Sequence, residues 1–206
     1  MSAPIRRGLP DFGGVVLAGG SSRRMGRDKA LVELGGRPLA ARTVDALVAA
    51  GAGPVRVIGG DAAALGALGL DVVADRWPGA GPLGGVLTGL AAVAPGDDDV
   101  LVVLSCDLAA IGPDEVVALV EALAATPSAD AAAPRWQGRP QLLTSAWRGR
   151  AAPGLRAAFD AGERSVRRAL ATSGLVVTTV SGLDPAHLGD IDTPDDLRAA
   201  RDGLAT

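Results

Sequence analysis

Tyrosine and asparagine are absent from this 206-residue chain, and cysteine, histidine and lysine occur once each, as Cys106, His187 and Lys29. One cysteine excludes an internal disulfide and a cysteine metal cage. It leaves room for a nucleophilic thiol, but Cys106 lies in an apolar run and reads as packing. One histidine excludes a pair at metal-ligand spacing, so His187, in "DPAHLGD", receives no role beyond surface or cap. No apolar run approaches the roughly 20 residues that a membrane helix needs. A net charge of −3 and a pI near 5.1 supply no general attraction to nucleic acid or an anionic membrane. A cytoplasmic protein with neither of those partners is expected, and an anionic ligand would need a local site.

What the chain does contain is apolar, 48% of its residues, enough at this length to bury a sizeable core. One domain spanning 1–206 is expected, with 1–12 as a flexible N-terminus. Alanine, glycine, arginine and aspartate are abundant, and arginine stands almost wherever lysine would serve. Against that background a single Arg or Asp says little. Lys29, alone among twenty Lys and Arg positions, points to a need for a compact ammonium instead of a planar guanidinium. A lysine that merely survives on the surface is the plainer alternative.

Short β-branched runs at 14–19, 55–60, 71–75, 100–107, 130–136, 141–147 and 175–180 alternate with segments of helical period at 38–50, 62–68, 84–93, 113–125, 151–161, 165–173 and 194–203. Strands alternating with helices predict an α/β fold, a mainly parallel sheet covered on both faces. "VLVVLSCD" (100–107) reads as a central strand whose polar carboxyl end carries Asp107, and ligands bind at that end of open α/β sheets.

The stretch "VVLAGGSSRRMGRDKALVEL" (15–34) reads as a strand, a glycine turn and a basic segment. Gly19 and Gly20 let backbone N–H groups approach a ligand, Ser22 adds a hydroxyl, and Arg24 and Lys29 add positive charge. Together these make a phosphate cradle. It is neither the Walker loop nor the G-x-G-x-x-G turn of dinucleotide oxidoreductases.

The whole string L-A-G-G-x-S-x-R-M-G-x-D-K resembles the opening signature of the molybdenum cofactor guanylyltransferase family. Leu17, Ala18, Gly19, Gly20, Ser22, Arg24, Met25, Gly26, Asp28 and Lys29 match its fixed positions. "GRPLAARTVDAL" (36–47), "VVADRWPGAGPLGGVLTGL" (72–90), "VVLSCDL" (102–108), "AGERSVRRAL" (161–170) and "DIDTPDDL" (190–197) are similar to its later segments. The resemblance implies a single Rossmann-like three-layer domain with a mainly parallel, mixed sheet of the nucleotide-diphospho-sugar transferase type. It implies transfer of GMP from GTP to the terminal phosphate of molybdopterin, with pyrophosphate released. Transient contact with proteins that supply or accept the cofactor is expected.

Attack on an α-phosphorus by an already ionised phosphate oxygen needs no Ser-His or Cys-His unit, so the protein's work is positioning and charge neutralisation. Arg24 and Lys29 would neutralise the phosphates. Asp107 would ligate Mg2+, a hard cation that prefers oxygen donors, and Asp192 offers a second carboxylate. An N-cap is the alternative for Asp107. The nucleotide contacts implied are Leu17, Ala18, Gly19, Gly20, Ser22, Lys29, Asp75, Gly84 and Asp107. Asp75 reads nearly as well as a loop aspartate, and "GPLGG" (81–85) could simply start a helix, though the resemblance favours backbone approach to the nucleotide. Arg139, Gln141, Glu163 and Arg164 are candidates for the acceptor, or else a strand edge and a solvated helix start. The chain departs from the family pattern at Gly59, where an asparagine is usual, and at Asp190 and Asp192, which replace two asparagines of a late motif. "DIDTPDDL" also resembles the related cytidylyltransferases, whereas "LAGG" matches the guanylyl group, so guanine is preferred over cytosine.

Overall fold

The computed structural model describes residues 8–19 and 28–204. In chain order these form β1 (Phe12–Leu17), β2 (Glu33–Leu34), β3 (Arg37–Pro38), α1 (Leu39–Ala49), β4 (Val55–Ile58), α2 (Ala62–Ala67), β5 (Val72–Val73), α3 (Pro82–Val93), β6 (Val100–Ser105) and α4 (Pro113–Ala124). There follow β7 (Ala131–Trp136), β8 (Arg139–Pro140), β9 (Thr144–Arg148), α5 (Ala152–Asp160), α6 (Val166–Ser173), β10 (Val177–Val180) and α7 (Pro194–Leu204). The main sheet runs β10-β7-β9-β6-β1-β4-β5, with β8 beside β7. β1 is parallel to both neighbours, while β9 is antiparallel to β6 and β7. The result is the expected mostly parallel, mixed sheet.

Alternation of side chains across the sheet explains the three layers. Val16, Val102 and Leu104 face α1 and α4 with Leu47 and Leu119, whereas Val15, Leu101 and Val103 face α3, α5 and α6 with Leu87, Leu155 and Val166. A strand buried on both faces must be apolar throughout, which is why Val100–Leu104 reads as one unbroken run.

β1 starts earlier than predicted, and Phe12, assigned to the flexible terminus, is buried at its first position and pairs with Val100. The glycines that weaken the strand signal are required by close packing. A Cβ at Gly13 would meet Val93 Cγ1 at 2.0 Å, and one at Gly14 would meet Leu47 Cδ1 at 2.9 Å.

Two hairpins escape the periodicity reading. β2 and β3 turn through Gly35 and Gly36, and β7 and β8 through Gln137 and Gly138, all at positive φ. The first hairpin matters for the site, because Val32, Leu34 and Leu39 pack with Ile191, and with Leu197 and Ala200 of α7, into a separate small core. That core holds the C-terminal segment against the sheet. No described helix is long and apolar enough to cross a membrane.

Candidate active site

Strand order reverses at β1: the chain goes from β1 to β4 and β5 on one side, then returns to β6 on the other. The crevice at the carboxyl ends of β1 and β6 is where such sheets bind ligands. Leu17 and Ala18 form its floor. Leu17 is buried and its carbonyl accepts from Cys106 N at 3.2 Å, while Ala18 N donates to Ile58 O at 3.0 Å. Gly19 is exposed beside them. Gly20, Ser22 and Arg24 lie outside the described residues.

Lys29 enters this crevice from a short 3-10 turn (Lys29–Leu31), capped by Asp28, whose Oδ1 accepts from Ala30 N at 3.0 Å. Its Nζ donates to Asp107 Oδ2 at 3.1 Å and also to Asp192 Oδ1. Partial burial alone would lower the Lys29 pKa, but the hydrogen bonds to Asp192 and Asp107 outweigh it and the pKa is raised. The Lys29 and Asp107 side chains are each 16% exposed, and Asp192 is half open to solvent. Ser105 donates to the other Asp107 oxygen.

The sequence D-I-D explains how Asp192 reaches this point. Ile191 is buried and its N–H donates to Asp107 O at 2.9 Å, and Leu108 bridges Asp190. Period-two alternation then turns Asp190 and Asp192 away from the core. Thr193 and Asp196 form a capping box at α7: Asp196 Oδ2 accepts from Thr193 N at 2.7 Å and Asp192 N at 3.0 Å, and Asp196 N donates to Thr193 Oγ1 at 3.2 Å. Asp190 reaches solvent in part yet is crowded by protein. That desolvation, then the Asp107 and Asp192 charges, pushes its pKa up to about 6.

The donor set suits Mg2+. Two carboxylate oxygens, from Asp107 and Asp192, converge on one cationic point, and Mg2+ takes one or two protein carboxylates and fills its shell with water and phosphate oxygens. No group of three or more His, Cys, Asp or Glu able to hold a metal forms among the described residues. Cys106 is buried, and desolvation followed by Asp107 and Asp28 pushes its thiol up to about 12, so it packs as a neutral thiol.

Across β1, Gly59 and Asp75 border Gly19. A Cβ at Gly59 would lie 3.4 Å from Gly19 Cα and 3.8 Å from Asp75 Cβ. Asp75 Oδ1 accepts from Trp77 N at 3.0 Å and lies 3.1 Å from Thr88 Oγ1, a partner on α3 that sequence reasoning missed. Gly84 is buried inside α3, where a Cβ would meet Trp77 Cβ at 3.3 Å, and its N–H donates to Gly81 O. Helix-to-loop packing is reason enough for glycine there.

On the other side of Asp107 lies a cavity of about 470 Å³, lined by Ser105, Asp107, Gln141, Ser165, Arg167 and Arg168 among others. Of the four acceptor candidates, Gln141 lines this cavity; Arg139 is exposed on β8, outside the lining, and Glu163 and Arg164 are engaged in bonds within the fold. Glu163 accepts from Ser165 N at 2.7 Å and Arg168 Nε at 2.8 Å. Arg168 first and these backbone donors next hold its carboxyl down at about 2. Arg164 lies over the Phe159 ring at 4.1 Å and donates to Phe159 O at 2.8 Å. The cavity's arginines are Arg167 and Arg168, one helical turn further on. His187 also acquires a partner, Glu115.

Residues 14–176 match the MobA-like NTP transferase domain. The chain belongs to that family. This MobA-like chain is 37% identical over 193 residues to a molybdenum cofactor guanylyltransferase of Rhodobacter capsulatus, covering 93% of itself and 95% of the relative. Its fold is shared with molybdopterin-guanine dinucleotide biosynthesis protein A of Archaeoglobus fulgidus, at a TM-score of 0.72 and 21% identity, covering 94% of this chain and 99% of that one. It is shared too with 2-C-methyl-D-erythritol 4-phosphate cytidylyltransferase of Thermus thermophilus, at 0.68 and 19%, covering 93% and 98%. The MobA-like architecture thus extends past the matched segment to the C-terminal residues that carry Asp192.

Proposed function

We propose that the chain transfers GMP from GTP to the terminal phosphate of molybdopterin and releases pyrophosphate. The observation that carries this reading is the meeting of Lys29 with Asp107 and Asp192 at the β1–β6 crevice, beside a cavity bordered by Arg167 and Arg168, in a MobA-like chain. Residues from both ends of the sequence serve this one site, which supports a single nucleotidyltransferase domain.

The chemistry asks little covalent work of the protein. An oxygen of the acceptor phosphate attacks the α-phosphorus of GTP, the bond to the β-phosphate oxygen breaks, and pyrophosphate leaves with the electron pair. The nucleophile is ionised at neutral pH, so no general base is required. Gly19, Gly59 and Asp75 border the nucleotide side. Lys29 and Arg24 neutralise charge on the leaving group. Gln141, Arg167 and Arg168 receive the acceptor. Asp107 and Asp192 would hold Mg2+, which when bound neutralises triphosphate charge. Such an enzyme works in the cytoplasm, and transient contact with proteins that supply molybdopterin or take its product follows from the same reading.

Cytidylyl transfer is the second reading, favoured by the carboxylates of Asp190 and Asp192 where the family usually has asparagines. Pyrophosphate release with Mg2+ and molybdenum-loaded molybdopterin, comparing GTP with CTP and including Asp107→Ala, decides between them. GTP preference lost in Asp107→Ala supports the first reading. CTP preference supports the second, and silence with both overturns the acceptor assignment.

A further inference from the structure

We propose that Lys29 is the resident counter-ion of the divalent-cation site, so that ammonium and Mg2+ alternate between Asp107 and Asp192 during the catalytic cycle. The inference rests on the site assigned above. It starts from the fact that Lys29 Nζ donates to the same two carboxylates, Asp107 and Asp192, that are assigned above to the metal. Two cations held on the same pair of carboxylates repel each other in a partly buried site, so each weakens the binding of the other.

The backbone of both aspartates is anchored independently of Lys29. Asp107 O accepts from Ile191 N, its side chain is held by Ser105, and Asp192 N is tied to Asp196. The base of Lys29 is likewise fixed by the Asp28 cap, leaving the flexible stem as the part that moves. What Lys29 supplies is charge. Its removal takes one positive charge from beside Asp107 and Asp192, whose charges Asp190 also feels.

This accounts for lysine at this position in a chain that otherwise uses arginine. A guanidinium would grip a carboxylate with two parallel hydrogen bonds and would be hard to displace. An ammonium is a point charge that withdraws along its own stem. The nucleotide phosphates then offer it a new anionic partner, so metal and nucleotide should bind cooperatively, each raising the affinity of the other by the same factor.

The single lysine makes the test direct. In wild-type protein carrying [13Cε]-lysine, one side-chain resonance reports on Lys29 during a Mg2+ titration without nucleotide. The resonance is expected to shift with the midpoint of metal binding. Mn2+ affinity, measured by electron paramagnetic resonance on folded variants, is expected to rise about tenfold or more in Lys29→Met, not to rise in Lys29→Arg, and to lose the gain in Lys29→Met combined with Asp192→Asn. A Lys29 resonance that stays still while the metal saturates, or equal Mn2+ affinity in wild type and Lys29→Met, overturns the proposal. Asp107→Asn separates the two levels. If it abolishes Mn2+ binding while Lys29→Met changes nothing, only the alternation fails. If it leaves Mn2+ binding intact, the metal assignment itself fails.

Discussion

His187 Nδ1 lies 2.7 Å from Glu115 Oε1, tying the segment that leads to Asp190 onto the first turn of α4. Glu115 Oε2 also accepts from Gly112 N at 2.9 Å, so one carboxylate caps the helix and anchors the loop. Burial would raise the Glu115 pKa, but the His187 hydrogen bond and the backbone donors of Glu115 and Gly112 together outweigh it, and the net shift is down. The same bond raises His187. The raised histidine contributes stability that is fully present below its ordinary 6.5 and is lost as pH rises through its folded value. The lowered glutamate contributes above its ordinary 4.5 and loses this as pH falls through its folded value.

The pair should therefore help most between those two ordinary values. His187→Gln is expected to lower Tm by about 2–4 °C at pH near 5.5, corresponding to about 1 kcal/mol or less because the imidazole is 41% exposed and screened. The loss should shrink towards pH 8.5. Thermal unfolding of both proteins across that range checks this, and an equal difference at both ends would mean that charge plays no part.

The sequence makes the central sheet legible because burial on both faces leaves an unbroken apolar run, as at Val100–Leu104, and because Asp107 closes that run. Lys29 is legible through composition alone. The Glu115–His187 pair is not, since the partners are 72 residues apart and neither belongs to a motif. Of the acceptor candidates, only Gln141 lines the cavity beside Asp107, and Arg167 and Arg168 of the same C-terminal segment line it instead of Glu163 and Arg164. Helix phase decided it: Val166 and Ala169 are buried, Glu163 is spent on the turn before α6, and Arg164 on Phe159. Strands of two residues, such as β2 and β8, are too short to show a period, although Gly35-Gly36 and Gln137-Gly138 carry the turn signal.

Thr88 is expected to act on the nucleotide through Asp75. Its hydroxyl lies within hydrogen-bond distance of both Asp75 Oδ1 and Gly84 O, and accepts from Arg76 N at 3.2 Å. Thr88→Val keeps the shape and removes these bonds, costing about 1 kcal/mol of stability. GTP affinity by calorimetry should fall several-fold and recover in Thr88→Ser. Unchanged affinity in Thr88→Val would detach Asp75 from the nucleotide.

Gly59 can be tested in the same way. Its φ of +76° favours glycine but tolerates asparagine, and a Cβ there meets its nearest neighbour, Gly19 Cα, at ordinary contact distance. Gly59→Asn should keep the fold and retain GTP binding. Gly59→Val places a β-branched side chain in the left-handed region and should cost about 1–3 kcal/mol. Denaturant melts of the two variants should differ accordingly, and equal stability would remove the backbone argument.

Arg167 offers the sharpest test of the acceptor side, because it lines the cavity whereas Arg164 is engaged with Phe159 and Arg168 is also bound to Glu163. Losing a charged hydrogen-bond donor to a phosphate costs about 1.5–3 kcal/mol, or roughly tenfold or more in affinity. Arg167→Ala is thus expected to raise the acceptor KM by about that factor while the GTP KM stays level. Arg164→Ala should instead lower Tm, because it removes the stacked guanidinium and its bond to Phe159 O. Arg139→Ala should leave both Michaelis constants in place, as its side chain is exposed and outside the cavity lining. Steady-state kinetics with each substrate varied in turn separates these outcomes. An acceptor KM that responds to Arg139 and not to Arg167 would shift the acceptor from the α6 cavity to the β7–β8 hairpin.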